Sequence, residues 1–296
     1  MNTEQLKELL TVIECGSLTA AAQKLGYTLS GISRSMSALE KELGLPLLYR
    51  QKNGVQPTKE CLRLLPDVHQ LLFYASRLEQ SCASIKGIQQ GVIRIGTAYR
   101  HYYRWLTEVT RQFHQLHPQV KFRIFHGTST DFARQLSQHQ LDFCLISRRQ
   151  GTHAWYPMCR DPLVAVLPLG HPLTKKSEIP LAAFGEEAYI ETCPGLDIDT
   201  SRFFRKQHFQ PNTQFSTMDI QATYAMVDAG LGISITNQIN SLSEYSGVCH
   251  RPLEKKETIE IGLACADGLP PAALTFLHYV LPQLPRREQD FSRKSH

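Results

Sequence analysis

"GYTLSGISRSMSALEKELG", residues 26–44, carries an apolar stripe at helical spacing: Ile32, Met36, Leu39 and Leu43 share one face when each residue turns the chain by about 100°. The opposite face gathers Ser30, Ser33, Arg34, Ser37 and Lys41, with hydroxyls toward its start and cations further along. A purely solvated face usually carries long charged residues, which form helices better than serine and keep a chain soluble. Short side chains instead let another surface approach, and Ser, Thr, Arg and Lys are suitable donors to phosphates and base edges. An amphipathic helix with a serine-rich exterior fits the stretch equally well, so its neighbours decide.

Upstream, Asn2 and Thr3 can cap a helix whose apolar stripe is Leu6, Leu9, Leu10 and Ile13, with Gln5 placed to complete a capping box and Gly16 to end it. Ser17 can cap a second helix, with Leu18, Ala21, Ala22 and Leu25 inward and Gly26 as its left-handed terminator. Thr28 then caps the quoted helix and Gly44 closes it. Three short helices with alanines at their approach predict a helix-turn-helix unit whose third helix reads DNA. "PLLYRQKNGVQPT" follows with a strand-like start, the turn pair Asn53-Gly54 and a second short run, which predicts a β-wing. Arg50 and Lys52 would lie beside a flanking phosphate.

These residues resemble the N-terminal domain of LysR-type transcriptional regulators. The family pattern recurs as Ser17, Thr19, Ala21, Ala22, Ser33, Arg34, Leu39, Glu40, Leu43, Gly44, Leu47, Leu48 and Arg50. Carried over position by position, the resemblance implies DNA contacts from Ser17, Thr19, Thr28, Leu29, Ser30, Ser33, Arg34, Ser37, Arg50 and Lys52. Where the family usually places a glutamine that often reads a base, this chain has Leu29, which offers only apolar contact such as a thymine methyl. The operator sequence is therefore left open. Charge supports DNA binding modestly: the chain has 32 Lys+Arg against 27 Asp+Glu, so contacts are expected to be few and placed by geometry.

From Thr58 onward, Leu64, Val68, Leu71, Ala75, Leu78, Cys82 and Ile85 alternate at four- and three-residue steps, a heptad stripe that predicts a pairing helix. Pro66 is tolerated near the first turns, and Gly87 and Gly91 mark a hinge. In the resembled family this segment is the linker helix of a homodimer, which presents two recognition helices to a roughly palindromic operator.

Residues 92–296 alternate strand-like and helix-like patterns, which predicts a mainly parallel sheet covered by helices. Two similar runs predict two lobes that part near Asp161-Pro162, with "IEIGLACAD" carrying the chain back so that residues 274–281 pack on the first lobe. "LDFCLIS", "DPLVAVLPLGHPL" and "MVDAGLGISI" resemble the effector-binding domain of the same regulators, itself similar to periplasmic binding proteins. The expected architecture is α/β with an N-terminal all-α/winged helix domain. A winged helix-turn-helix spans 1–58, a linker helix and hinge 59–90, and a two-lobed effector-binding domain 91–296, with lobe I at about 91–161 and 266–296 and lobe II at about 162–265.

Ligands of open α/β sheets sit beyond the C-terminal ends of strands. Those positions hold Thr97, Tyr99, Arg100, His101, Thr128, Ser129, Ser147, Thr192, Cys193 and Thr217. Hydroxyls there can donate to a carboxylate, Arg100 and His101 can neutralise it, and Tyr99 or Tyr102 can stack on a ring. A small organic acid is the expected effector. Caps account for some of the same hydroxyls, and Arg148 and Arg149 are as well read as solvated.

Eight cysteines show no C-x-x-C and no regular framework, as expected for reduced thiols. Cys193, at the mouth of the expected cleft, leaves a redox-sensor alternative open. His114 and His117 lack a third ligand in sequence, "GLGIS" lacks the third glycine of a dinucleotide fingerprint, and no G-x-S-x-G elbow occurs, so no metal, cofactor or enzymatic role is expected. No apolar run approaches the ~20 residues of a membrane span and the N-terminus does not read as a signal peptide, so a cytoplasmic location is expected. The competing readings are a regulator whose sensor domain only oligomerises, and an enzyme or solute-binding protein with a helical extension. Expected partners are operator DNA, a small-molecule effector, a second copy of the chain, a homotetramer of such dimers, and RNA polymerase; no membrane is expected.

Overall fold

The computed structural model describes residues 1–51, 54–86, 90–151, 154–241 and 244–285; Lys52, Asn53 and Gly87, singled out above, lie outside them. The chain forms two compact units, residues 1–90 with 138–140, and the remainder.

The first unit opens with α1 (Thr3–Cys15), α2 (Leu18–Leu25) and α3 (Leu29–Leu43). Asn2 and Gln5 form the capping box on α1, Ser17 and Thr28 cap the next two helices, and Gly16, Gly26 and Gly44 end all three in the left-handed conformation. Leu6, Leu9 and Val12 of α1, Ala21 and Ala22 of α2, and Ile32, Met36 and Leu39 of α3 are buried in one core. The wing is an antiparallel pair, β1 (Leu48–Gln51) and β2 (Gly54–Pro57). It is pinned to the α1–α2 turn by Val55 N–H, which donates to Gly16 O at 2.8 Å. A Cβ on Gly54 would lie 2.6 Å from that carbonyl oxygen, and its φ of 139° is one that side chains rarely adopt, so glycine is required there.

Thr58 caps α4 (Lys59–Ile85), which continues through Pro66 at the loss of one backbone hydrogen bond. Its N-terminal end packs on the core through Cys61, Leu64 and Val68. Further along, the heptad positions Leu71, Leu78 and Ile85 are exposed.

The second unit begins with β3 (Gly91–Thr97), α5 (Tyr103–Leu116), β4 (Val120–His126), α6 (Ser129–Ser137), β5 (Phe143–Ser147) and β6 (Ala154–Pro168). It continues with α7 (Ala183–Glu186), β7 (Tyr189–Thr192), α8 (Asp199–Lys206), β8 (Thr213–Thr217), α9 (Ile220–Asp228) and β9 (Ser234–Asn237). The last elements are β10 (Val248–Pro252), β11 (Thr258–Cys265) and α10 (Pro271–Val280). β3 pairs in parallel with β4 and β5, and β7 with β8, but β5–β11, β11–β6, β6–β10 and β6–β9 are antiparallel. The sheet is therefore mixed, where alternation alone predicted a mainly parallel one.

Two further expectations are corrected. β6 is one 15-residue strand whose first half pairs with β11 and whose second half pairs with β9 and β10. Its first half escapes sequence reading because Pro157 and Pro162 argue against a strand; the ladder accommodates Pro157 with a register shift between Ile261 and Gly262. β11 pairs with β5 along 261–265, so the chain is back in lobe I by residue 261 and does not wait until 266. β10 has no counterpart among the strands that the sequence pattern predicts. One core gathers α5, α10, β3 and β5 around Phe113, Phe143 and Phe276, and a second gathers Phe184, Tyr189, Phe203 and Phe204 in lobe II.

Within lobe I, Asp142 is 2 % exposed and its Oδ2 accepts from Arg94 N–H at 2.7 Å. Burial pushes its carboxyl from an ordinary 3.8 up to about 6. The folded chain thus keeps a proton that the unfolded chain releases, so this group's stabilisation is complete below the ordinary value and fades as pH rises through about 6. Asp142→Asn is expected to flatten the fall in thermal midpoint between about pH 4 and 6, measured by calorimetry across that range.

Candidate functional site

In the first unit the hydroxyls of α3 divide by role. Thr28 Oγ1 accepts from Gly31 N–H at 3.1 Å and sits 3.2 Å from Ser30 Oγ, so it is spent on the cap. Ser17 Oγ likewise accepts from Ala20 N–H. Ser35 turns inward to Glu8. Ser33 and Ser37 accept from Arg50 at 3.2 and 3.0 Å, which joins the wing to the face of α3. Behind Arg50, Glu40 Oε1 accepts from Leu47 and Leu48 N–H at 2.8 and 3.1 Å, and its Oε2 lies 3.5 Å from the guanidinium. The strand that carries Arg50 is therefore anchored by a residue of α3.

The exposed surface beside this clamp comprises Leu29, Ser30, Arg34 and Ser37, with Thr19 exposed on α2. Leu29 is 49 % exposed at the first turn, an apolar side chain with no fold-building task. Of the ten residues expected to contact DNA, only Lys52 lies outside the described residues.

In the second unit a cavity of about 480 Å³ opens between the lobes. Seven of the ten expected effector residues line it: Tyr99, Arg100, His101, Thr128, Ser129, Thr192 and Cys193. The other three do not. Thr97 is fully buried and its hydroxyl donates to Tyr99 O at 3.1 Å. Thr217 Oγ1 accepts from Asp219 N–H, and Ser147 is buried beneath the floor.

Most hydroxyls that do line the cavity are already engaged. Thr128 accepts from Asp131 N–H and donates to Asp131 Oδ2, Ser129 accepts from Ser147 N–H, and Thr192 pairs with Thr223 at 2.7 Å. Neither tyrosine offers a ring face. Tyr99 is 2 % exposed, and Tyr102 lies in the lobe I core with its hydroxyl 3.3 Å from Cys159 Sγ.

Two acids outside the expected effector residues organise the cleft. Asp199, at the first turn of α8, is buried and accepts from four side chains. Tyr99 Oη donates at 2.6 Å and Asn237 Nδ2 at 3.3 Å to one oxygen; Ser147 Oγ at 2.7 Å and Arg149 Nη2 at 3.0 Å donate to the other. Arg149 also donates to Ser147 Oγ at 2.7 Å and to Thr130 Oγ1 at 2.9 Å, and Thr130 donates to Asp197. Arg149 is therefore 8 % exposed and not solvated, whereas Arg148 is exposed beside Glu260. Burial, and next Asp199, push the Tyr99 hydroxyl well above its ordinary value, so it stays a donor.

Asp219 is the second acid. It caps α9 and accepts from Arg100 of lobe I at 3.0 Å, with both side chains about two-fifths exposed to the cleft. The Gln221 N–H and Arg100 hold its carboxyl below the usual range, although partial desolvation opposes them. Burial and then Arg100 lower the His126 imidazole, and burial and then Asp219 raise the Cys193 thiol. Their side-chain partners lie about 40 to 120 residues away, so no local signal exposes them.

Comparison with known proteins adds the family context. The family model described as "Bacterial regulatory helix-turn-helix protein, lysR family" matches residues 3–62, and that described as "LysR substrate binding domain" matches residues 86–285. The uncharacterized HTH-type transcriptional regulator YybE of Bacillus subtilis (strain 168) is 26% identical over 287 residues, 95% of this chain and 98% of its own. The transcriptional activator protein LysR of Escherichia coli (strain K12) is 28% identical over 250 residues, 82% of this chain and 79% of its own. The structure of full-length OxyR C199D from Pseudomonas aeruginosa shares the fold with a TM-score of 0.71 at 18% identity, covering 100% of this chain and 99% of that one.

Arg34→Ala is expected to weaken binding to the DNA upstream of the protein's own gene roughly tenfold without lowering the melting temperature, as for one lost base-edge or phosphate contact. A gel-shift titration checks it, and undiminished binding would remove Arg34 from the DNA surface.

Proposed function

The chain belongs to the LysR family of bacterial transcriptional regulators, and on that premise we propose that it recognises its operator as a homodimer and senses a small organic acid in the cleft between its lobes. DNA binding and an effector-binding domain come with the family. The effector class and the residues that hold it are the proposal.

The observation that carries the effector reading is the pair of ion contacts that span the cleft, Arg149–Asp199 in its floor and Arg100–Asp219 at a lining wall. A ligand that engages Arg100 changes what holds the lobes together, and so binds one closure state better than the other. Only such a difference in affinity can bias the DNA-binding heads. The raised Cys193 thiol counts against a redox role, because the thiolate is the reactive form.

The homodimer reading is supported by α4, whose heptad residues Leu71, Leu78 and Ile85 are exposed. Edge strand β4 exposes Ile124 and Phe125, which gives dimers a surface for assembly into a homotetramer. RNA polymerase completes the set of partners in this reading.

Two measurements test it. A panel of aromatic and aliphatic carboxylates, α-amino acids among them, is expected to contain members that raise the melting temperature of the full chain in a concentration-dependent way, with ~2.7 kcal/mol gained at about a hundred times Kd. The shift is expected to vanish in Arg100→Ala; a flat response across the panel would reject the organic-acid reading. Leu78→Glu is expected to shift the chain toward monomer in sedimentation equilibrium and to weaken operator binding, and an unchanged dimer would reject pairing through α4.

A further inference from the structure

Arg100 does not wait in the cleft as an unpaired cation. It donates to Asp219 at 3.0 Å from the opposite lobe, and both residues line the cavity. A simple carboxylate that took Arg100 would draw the cation away from Asp219, which keeps its Gln221 N–H but would then share the wall with a second anion and one cation between them. The floor gives no alternative place for the acid, because Arg149 is already committed to Asp199, Ser147 and Thr130.

We infer that the effector is a zwitterion, an α-amino acid whose carboxylate binds Arg100 while its ammonium group binds Asp219. This rests on the organic-acid reading and narrows it. An α-amino acid holds its two charges on adjacent groups, side by side as the guanidinium and carboxylate of the pair are. One cross-lobe ion pair is exchanged for two, and no charge is left without a partner. Asp219 also stays a carboxylate at neutral pH, because Gln221 N–H and Arg100 favour its charged form.

The rest of the lining sets the side-chain class. Leu196, Ile198, Met218, Ile220 and Ile235 supply apolar wall from lobe II. Lobe I contributes His101 and His126, and burial and Arg100 favour the neutral form of the latter. Among the described residues no second cation–anion pair awaits a charged side chain there, since Arg149 and Asp199 satisfy each other in the floor. The ligand is therefore an amino acid with an apolar side chain.

The test uses the full chain in isothermal calorimetry with L-valine, L-leucine, L-isoleucine, L-methionine and L-phenylalanine. Leucine is matched against 4-methylpentanoate and leucinamide, and phenylalanine against 3-phenylpropanoate and phenylalaninamide. At least one of the five amino acids is expected to bind, and the leucine or phenylalanine set is expected to show at least a ~10-fold loss for both the des-amino acid and the amide, the size of one lost charged contact. Asp219→Asn, which keeps an N-cap on α9, is expected to reverse the order: amino-acid affinity falls about tenfold while the des-amino acid binds more tightly than to the wild type. Des-amino acids that bind the wild type as tightly as their parents would overturn the zwitterion inference and leave the organic-acid reading standing. Silence from all five amino acids together with binding of another carboxylate would do the same, and silence from every carboxylate would remove both.

Discussion

A buried carboxylate is tolerated only when its lone pairs are satisfied, and Asp199 meets that requirement with donors from both lobes. Tyr99, Ser147 and Arg149 reach it from the ends of lobe I strands, Asn237 from the end of β9. Their positions are in turn fixed by the strands beneath them: Thr97 ties the turn after β3, and Ser129 ties α6 to β5. The floor of the cleft is thus a single polar assembly, and the relative placement of the lobes at that point is set by where four donors converge on two oxygens.

The DNA-binding unit solves a related problem with cheaper parts. Its wing is two short strands that bury little, and a hairpin of that size is marginal alone. It is held at both ends instead, through Glu40 and the backbone of Leu47 and Leu48 on one side, and through Val55 and the Gly16 carbonyl on the other. The serines of α3 take part in the same bracing, which explains why a helix of modest propensity carries so many of them. Ser33 and Ser37 hold Arg50, Ser35 turns inward to Glu8, and Ser30 sits against the capping hydroxyl of Thr28.

Legibility followed the range of the interactions. The three N-terminal helices were readable almost to the residue, because their caps, stripes and terminating glycines act within one or two turns. The βα elements were readable where local pattern suffices, and β6 was lost where Pro157 and Pro162 break that pattern while the sheet still accepts them. The mixed sheet was hidden because strand direction is settled by β11 pairing far back along the chain. In the cleft, residue types at strand ends were found, but their partners were not. Arg149 reads as solvated until Asp199, fifty residues on, is beside it, and Tyr99 reads as a stacking ring until its hydroxyl has an acceptor.

The long strand β6 belongs to both lobes, with its first nine residues laddered to β11 and its later ones to β9 and β10. A laddered ribbon is stiff against bending in the plane of its sheet and compliant in twist. Any relative rotation of the lobes must therefore twist β6 itself, together with the short 253–257 connection that leads from β10 back to β11.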